Sequence, residues 1–169
     1  MKIIDSYFDE VHHIESHFFS DDRGAFLKAF DKNNSIFAEY NIQQTNYVHT
    51  MDKYTLRGMH YQEGEFAEAK FFRVVTGVAQ IGFVDVRSIE EGNRLNSGTI
   101  TISDPKEGVF IPRGYATGYL TLEPDTIVLY FSDNIYQPNV EKGVLWNDSR
   151  VTLPWESNTP ILSEKDKLW

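Results

Sequence analysis

Apolar positions along the chain recur every second residue or gather into short unbroken runs, and turn residues interrupt them at close intervals. Phe71-Phe72-Arg73-Val74-Val75 passes through Thr76-Gly77 into the run 78–86, which predicts two strands about a turn. Gly98-Thr99-Ile100-Thr101-Ile102-Ser103 alternates strictly, and Asp104-Pro105-Lys106-Glu107-Gly108 then reads as a turn. Further strands are predicted over 109–112, 118–122 and 126–131. A helical reading is available only around 35–40, and it is short. Many short strands between turn signals predict an all-β sandwich or barrel, a jelly roll with short peripheral helices, spanning 1–169 as one domain.

The segment Thr55-Leu56-Arg57-Gly58-Met59-His60-Tyr61-Gln62 places an arginine, a histidine and a glutamine on one extended stretch. Strand periodicity puts His60 and Gln62 on one face and Met59 and Tyr61 on the other. Arg57 falls on the Met59 face unless a bulge at Gly58 re-aims it. Imidazole titrates near neutral pH, so His60 is a candidate base; a hydrogen-bonded structural histidine is the competing reading. His12, His13 and His17 lie in a polar amino-terminal stretch and are expected to be solvated, while His49 falls in a loop-like segment without an evident partner.

Composition narrows the functions. The chain has 169 residues, no cysteine and a formal charge of -9. Thiolate chemistry, disulfides and cysteine-held zinc are excluded. A broad basic nucleic-acid surface is not expected, although a few cations gathered in one cleft can still hold an anion. No apolar stretch reaches the length of a membrane span and the amino terminus lacks a secretory pattern, so a cytoplasmic protein is expected. A metal-binding barrel would present paired histidines with a later third one. Here Gln62 stands two residues after His60 and no histidine follows it, so no metal is expected. Tyr130, Lys70 and Asp166 could carry chemistry, but by default they read as a packed tyrosine, an exposed lysine and a solvated aspartate.

The order and spacing of several segments change that default. Phe19-Ser20-Asp21-Asp22-Arg23-Gly24, Leu56-Arg57-Gly58-Met59-His60-Tyr61-Gln62, Ala69-Lys70, Ile111-Pro112-Arg113-Gly114-Tyr115-Ala116, Trp146-Asn147-Asp148 and Leu162-Ser163-Glu164-Lys165-Asp166 run through nearly the whole chain. In this the chain resembles the dTDP-4-dehydrorhamnose 3,5-epimerase family, sugar-nucleotide epimerases of the cupin jelly-roll class. The resemblance implies a homodimer acting on a nucleotide-linked 4-keto-6-deoxy sugar without a cofactor, inverting C3, C5 or both through an enolate. It makes His60 the base, Asp166 its orienting carboxylate, Tyr130 the acid on the opposite face and Lys70 a neighbour of the sugar carbonyl. Arg23, Gln44, Asn46, Arg57 and Glu141 become nucleotide- or phosphate-contacting positions, Tyr136 an aromatic near the nucleobase, and Gln62 and Thr117 further substrate contacts. Where the family often reads Phe-Ala-His-Gly-Phe, this chain has Tyr115-Ala116-Thr117-Gly118-Tyr119; Lys28 replaces a common acidic residue and Val48 a small hydroxyl residue. These departures bear on which sugar nucleotide is taken and on how many centres invert. An idle sugar-nucleotide-binding cupin is the alternative from another class.

Overall fold

The alternating runs become strands that pair antiparallel throughout two facing sheets, as a computed structural model of residues 1–169 describes. In chain order they are β1 (Lys2–Tyr7), β2 (Val11–Glu15), β3 (Phe18–Asp21), β4 (Gly24–Leu27), β5 (Gln44–Thr50), β6 (Leu56–Gln62), β7 (Lys70–Thr76), β8 (Ala79–Asp85), β9 (Ser97–Ile102), β10 (Glu107–Ile111), β11 (Tyr115–Thr121), β12 (Thr126–Ser132) and β13 (Glu141–Gly143). One sheet has the order β1-β2-β10-β7-β12-β5 and the other β13-β6-β11-β8-β9, while β3 and β4 form a separate hairpin. Non-sequential neighbours in both sheets give the crossed topology of a jelly roll.

Phe72, Val74, Ile81, Phe83, Ile100, Ile102, Val109, Ile111 and Val128 fill the space between the sheets. The outer faces are covered too. Phe71, Phe110 and Phe131 pack beneath Phe30, Phe37 and Tyr40, whereas Met59, Tyr61, Val84 and Ala116 lie under Val151, Leu153 and Trp155. Central strands apolar on both faces therefore show unbroken runs: β8 is buried from Ala79 to Val84 and β11 along its whole length. Arg73, 2% exposed, is held among the outer aromatics by donating to the carbonyls of Ala29 (2.6 Å), Pro105 (3.2 Å) and Glu107 (3.3 Å) and to the Ser16 hydroxyl. Burial pushes its guanidinium down to about 10.

Several sequence expectations change. The helix expected around 35–40 is a single 3-10 turn, Ser35–Phe37, capped by the Asn34 side chain, and the other peripheral helices are equally short. Too few residues lie between the flanking turns to offset helix nucleation. His49 lies on β5 rather than in a loop, 3.0 Å from an Asp125 carboxylate oxygen. His12 and His13 are half-buried on β2, against Ser6 and Glu107, while His17 is exposed as expected. No helix is long and apolar enough to cross a membrane.

The β6–β11 register holds the feature that positions the cleft. Thr117 pairs with His60 and Tyr119 with Arg57, so two steps on β11 match three on β6. This bulge brings Arg57 onto the His60 face, as the sequence allowed. Gly58 sits within it at φ +121°, and a Cβ there would meet the Gly118 Cα at 2.6 Å and the Thr117 carbonyl oxygen at 2.7 Å. Gly58→Ala should therefore destabilise the fold by about 3 kcal/mol. Thermal denaturation should register that loss as a Tm lower by about 6–12 °C.

Candidate active site

Side chains from the inner faces of both sheets line two adjoining chambers, each of about 220 Å³, which share His60, Lys70 and Tyr130. One chamber extends to Gln44, Asn46, Gln62, Glu68, Tyr136 and Glu141. The other extends to Val48, Arg57, Phe72, Thr117 and Tyr119. Period-two geometry selects these residues. Gln44, Asn46 and Val48 alternate on β5, Lys70 and Phe72 on β7, and Thr117 and Tyr119 on β11.

His60 is held from behind. Its Nε2–H donates to Asp166 Oδ1 at 2.6 Å, and Ser163 Oγ donates to the other Asp166 oxygen at 2.8 Å. A carboxylate only accepts, so the proton belongs on Nε2 and Nδ1 is left as the basic nitrogen. Asp166 is 4% exposed, against the default expectation for a charged tail. Burial acts to raise its carboxyl, but the hydrogen bonds from His60 and Ser163 outweigh it and hold the group below the usual aspartate range. His60 Nδ1 lies 3.6 Å from Glu141 Oε1, so an imidazolium formed there would face a second carboxylate. Glu141 is also tied to Tyr136, whose hydroxyl donates at 2.5 Å, and to Lys165. Burial raises the Glu141 carboxyl, yet Lys165, Tyr136 and His60 together bring it below its ordinary value.

Tyr130 is a different kind of group. Burial first, then the nearby Glu68 charge, pushes its phenol up to about 12, which keeps it protonated at neutral pH. Lys70 has a side chain only 12% exposed and pairs with Glu68 at 2.8 Å, while Glu68 also accepts from Ser132. Arg57 is exposed and donates to Thr50 Oγ1 at 3.2 Å, but it has no ion pair. It is the cation in the cleft that no carboxylate neutralises. Nowhere does the chain gather three or more histidine, aspartate or glutamate side chains in a metal-holding arrangement.

Two predicted contacts stand differently. Gln62 lines the cleft, but both its N–H donors go to the Phe66 and Ile135 carbonyls and its oxygen accepts from the Gln137 backbone, so it braces the wall. Arg23 lies outside the cleft altogether. It sits at the tip of the β3–β4 hairpin, paired with Asp21 at 2.6 Å, with a side chain 89% exposed.

The family model for dTDP-4-dehydrorhamnose 3,5-epimerase matches residues 5–169. The enzyme of that name from Escherichia coli K12 is 33% identical, over 99% of this chain and 92% of its own. The dTDP-4-dehydrorhamnose 3,5-epimerase of Bacillus anthracis, solved with TDP and PPi bound, superposes with a TM-score of 0.89 at 31% identity, covering 99% of this chain and 97% of that one. A 3'-monoepimerase from Streptomyces bikiniensis in complex with dTDP-quinovose matches with a TM-score of 0.80 at 25% identity, over 93% and 81% of the two chains. The chain belongs to the dTDP-4-dehydrorhamnose 3,5-epimerase family.

Membership gives the cupin-like jelly roll its family context and makes the chain an epimerase. Several residues that build this epimerase cleft went unnoticed in the sequence. Glu68 had a usable signal, since it stands two residues before Lys70 and an extended stretch puts both on one face. Ser163 had one too, standing three residues before Asp166, whereas Lys165 had none, because its partner Glu141 lies 24 residues earlier. Asp166→Asn tests the dyad electrostatically. A depressed carboxyl stabilises the fold above the unfolded aspartate value, near pH 4, and the contribution disappears as pH falls through the lower folded value. The unaltered protein should therefore lose Tm more steeply than the Asp166→Asn variant on acidification from pH 5, as followed by thermal melts in a buffer series.

Proposed function

We propose that this epimerase acts on a dTDP-linked 4-keto-6-deoxy sugar, with His60 removing a proton from C3, C5 or both and Tyr130 returning one to the opposite face. The observation that carries the reading is that a basic imidazole and a neutral phenol line the same two chambers. A ketone at C4 acidifies the hydrogens on both adjacent carbons. His60 Nδ1 takes one, and the electron pair moves onto the carbonyl oxygen as an enolate. Lys70 stabilises that oxygen. Tyr130 then delivers its proton from the other side, the carbonyl reforms, and both side chains recover their starting states by exchange with solvent. Asp166 keeps the proton on Nε2 and offsets the imidazolium charge. Arg57 holds the diphosphate, with Gln44, Asn46, Tyr136, Glu141 and Thr117 as the remaining substrate contacts.

Arg23 fits this reading through a second copy of the chain. Its hairpin carries the exposed aromatics Phe18, Phe19 and Phe26, and none of its residues lines the cleft of its own chain. In a homodimer that hairpin would reach the partner's nucleotide. A diphosphate-linked sugar carries charges that keep it from crossing a membrane unaided, and on that ground we assign the enzyme to the cytoplasm.

Proton NMR in deuterated water with dTDP-4-keto-6-deoxyglucose tests the chemistry. Label should enter C3, C5 or both, and the number of labelled carbons gives the number of centres reached. His60→Asn should lower exchange by about 10³-fold while nucleotide binding persists. Tyr130→Phe should keep exchange on the His60 face and lose the inverted product. Binding by the unaltered protein with no exchange would leave only an idle binding cupin. For the assembly, light scattering should give a dimer, and Arg23→Ala should weaken dTDP binding about 10-fold without lowering Tm; a tight-binding Arg23→Ala protein would reject the reach between copies.

A further inference from the structure

One buried carboxylate of the cleft has no part in the proposed reaction. The Glu68 side chain is 7% exposed and lines the chamber that holds His60, Tyr130 and Glu141. Its backbone is stapled to the end of β12. The Ala69 N–H donates to Asp133 Oδ1 at 2.7 Å, and the Asn134 amide donates to the carbonyls of Glu65 and Ala67 at 2.8 and 3.2 Å. Both carboxylate oxygens are engaged as well: Oε2 accepts from Ser132 Oγ at 2.5 Å, and Oε1 faces the Lys70 ammonium at 2.8 Å. Ser132 pairs with Lys70 across β12 and β7, so hydroxyl, ammonium and carboxylate meet at one point of the sheet. Lys70 Nζ lies 5.9 Å from the centre of the Tyr130 ring. Two charges removed from water gain little net stability from each other, so the pair is explained by what it fixes in place.

We infer that Glu68 is a positioning residue: it holds the Lys70 ammonium for the carbonyl oxygen of the bound sugar and withholds it from the diphosphate. This rests on the epimerase reading above, in which Lys70 meets the enolate. A lysine side chain carries about 2 kcal/mol of rotamer entropy, and an unpaired ammonium in this cleft would settle against whichever anion entered. The resting substrate brings its negative charge in the diphosphate, whereas the carbonyl oxygen gains charge only as the proton leaves carbon. Pairing with Glu68 cancels most of the attraction for the first and still leaves Lys70 two N–H donors for the second. Arg57, which has no carboxylate partner, is the cation left to the diphosphate. Glu68 thus gives up binding of the resting substrate for a donor already in place when the enolate forms.

Glu68→Gln keeps the shape of the side chain and removes its charge. Deuterium exchange into saturating dTDP-4-keto-6-deoxyglucose should slow by about 10- to 100-fold, while calorimetric affinity for dTDP holds or tightens because the ammonium is released. In a Lys70→Met background the same substitution should slow exchange no further and should leave dTDP affinity unchanged, since the residue it acts through is gone. Where Glu68→Gln does not fold, Glu68→Asp decides, because it keeps the charge pair and draws the ammonium back by one methylene. Slower exchange by that variant at unchanged Tm supports the inference, and full exchange overturns it. Unchanged exchange in a folded Glu68→Gln protein also overturns it. So does a dTDP affinity that falls with the exchange rate, or a loss that persists in full beside Lys70→Met. An unaltered protein that exchanges no deuterium would remove the epimerase reading and the inference together, whereas exchange that survives Glu68→Gln removes the inference alone.

Discussion

One extra residue in β6 decides what the cleft contains. Residues three apart on a regular strand face opposite ways, so Arg57 and His60 belong on different sides of the sheet. The bulge at Gly58 and Met59 places both toward the interior, opposite Tyr119 and Thr117. It is possible because two glycines meet there: neither Gly58 nor Gly118 has room for a Cβ, each lying within 3 Å of backbone on the other strand. Without this close approach the barrel would keep its core, but its base would stand alone and its free cation would face the covering segment. On the proposed reading, a backbone irregularity thus assembles an anion site beside a proton-transfer site.

Charge in the cleft is arranged by pairing. Glu68 neutralises Lys70, Lys165 neutralises Glu141, and Asp166 neutralises whatever charge His60 acquires. Tyr130 is kept neutral by its surroundings. Arg57 is left over, and this matters in a chain with a formal charge of -9. A diffuse negative surface acts weakly at a distance and is screened, while one unneutralised guanidinium beside a cleft acts at contact range. The overall acidity of the protein and its suitability for an anionic ligand are therefore compatible.

Legibility in the sequence followed the source of each signal. Strands buried between layers, such as 126–131 and the run 78–86, announce themselves because their apolar residues have nowhere else to go. The amino-terminal strands do not: β1 is exposed along most of its length and β3 throughout, so no alternation marks them. Periodicity correctly joined His60 to the cleft and left Arg57 conditional on a bulge. It also put Gln62 on the His60 face, and neither that face nor the resemblance reveals that the amide is consumed by backbone 73 residues away. Asp166 was beyond any local rule, since its partner lies 106 residues earlier. Only the ordered set of segments across the chain, read as a resemblance, brought that pair together.

The His60–Asp166 pair also ties the cleft to one peripheral segment. Residues 161–169 reach the barrel through a parallel bridge, with Leu56 N–H donating to the Ile161 carbonyl at 2.9 Å and Ile161 N–H to the Tyr54 carbonyl at 2.8 Å. Beyond it, Asp166 grips His60, Lys165 grips Glu141, and Trp169 packs where Gly143 has no side chain. Opening this segment would leave the jelly roll standing while His60 lost the carboxylate that fixes its tautomer. On the proposed reading, the base therefore keeps its orienting carboxylate only while this peripheral segment is docked.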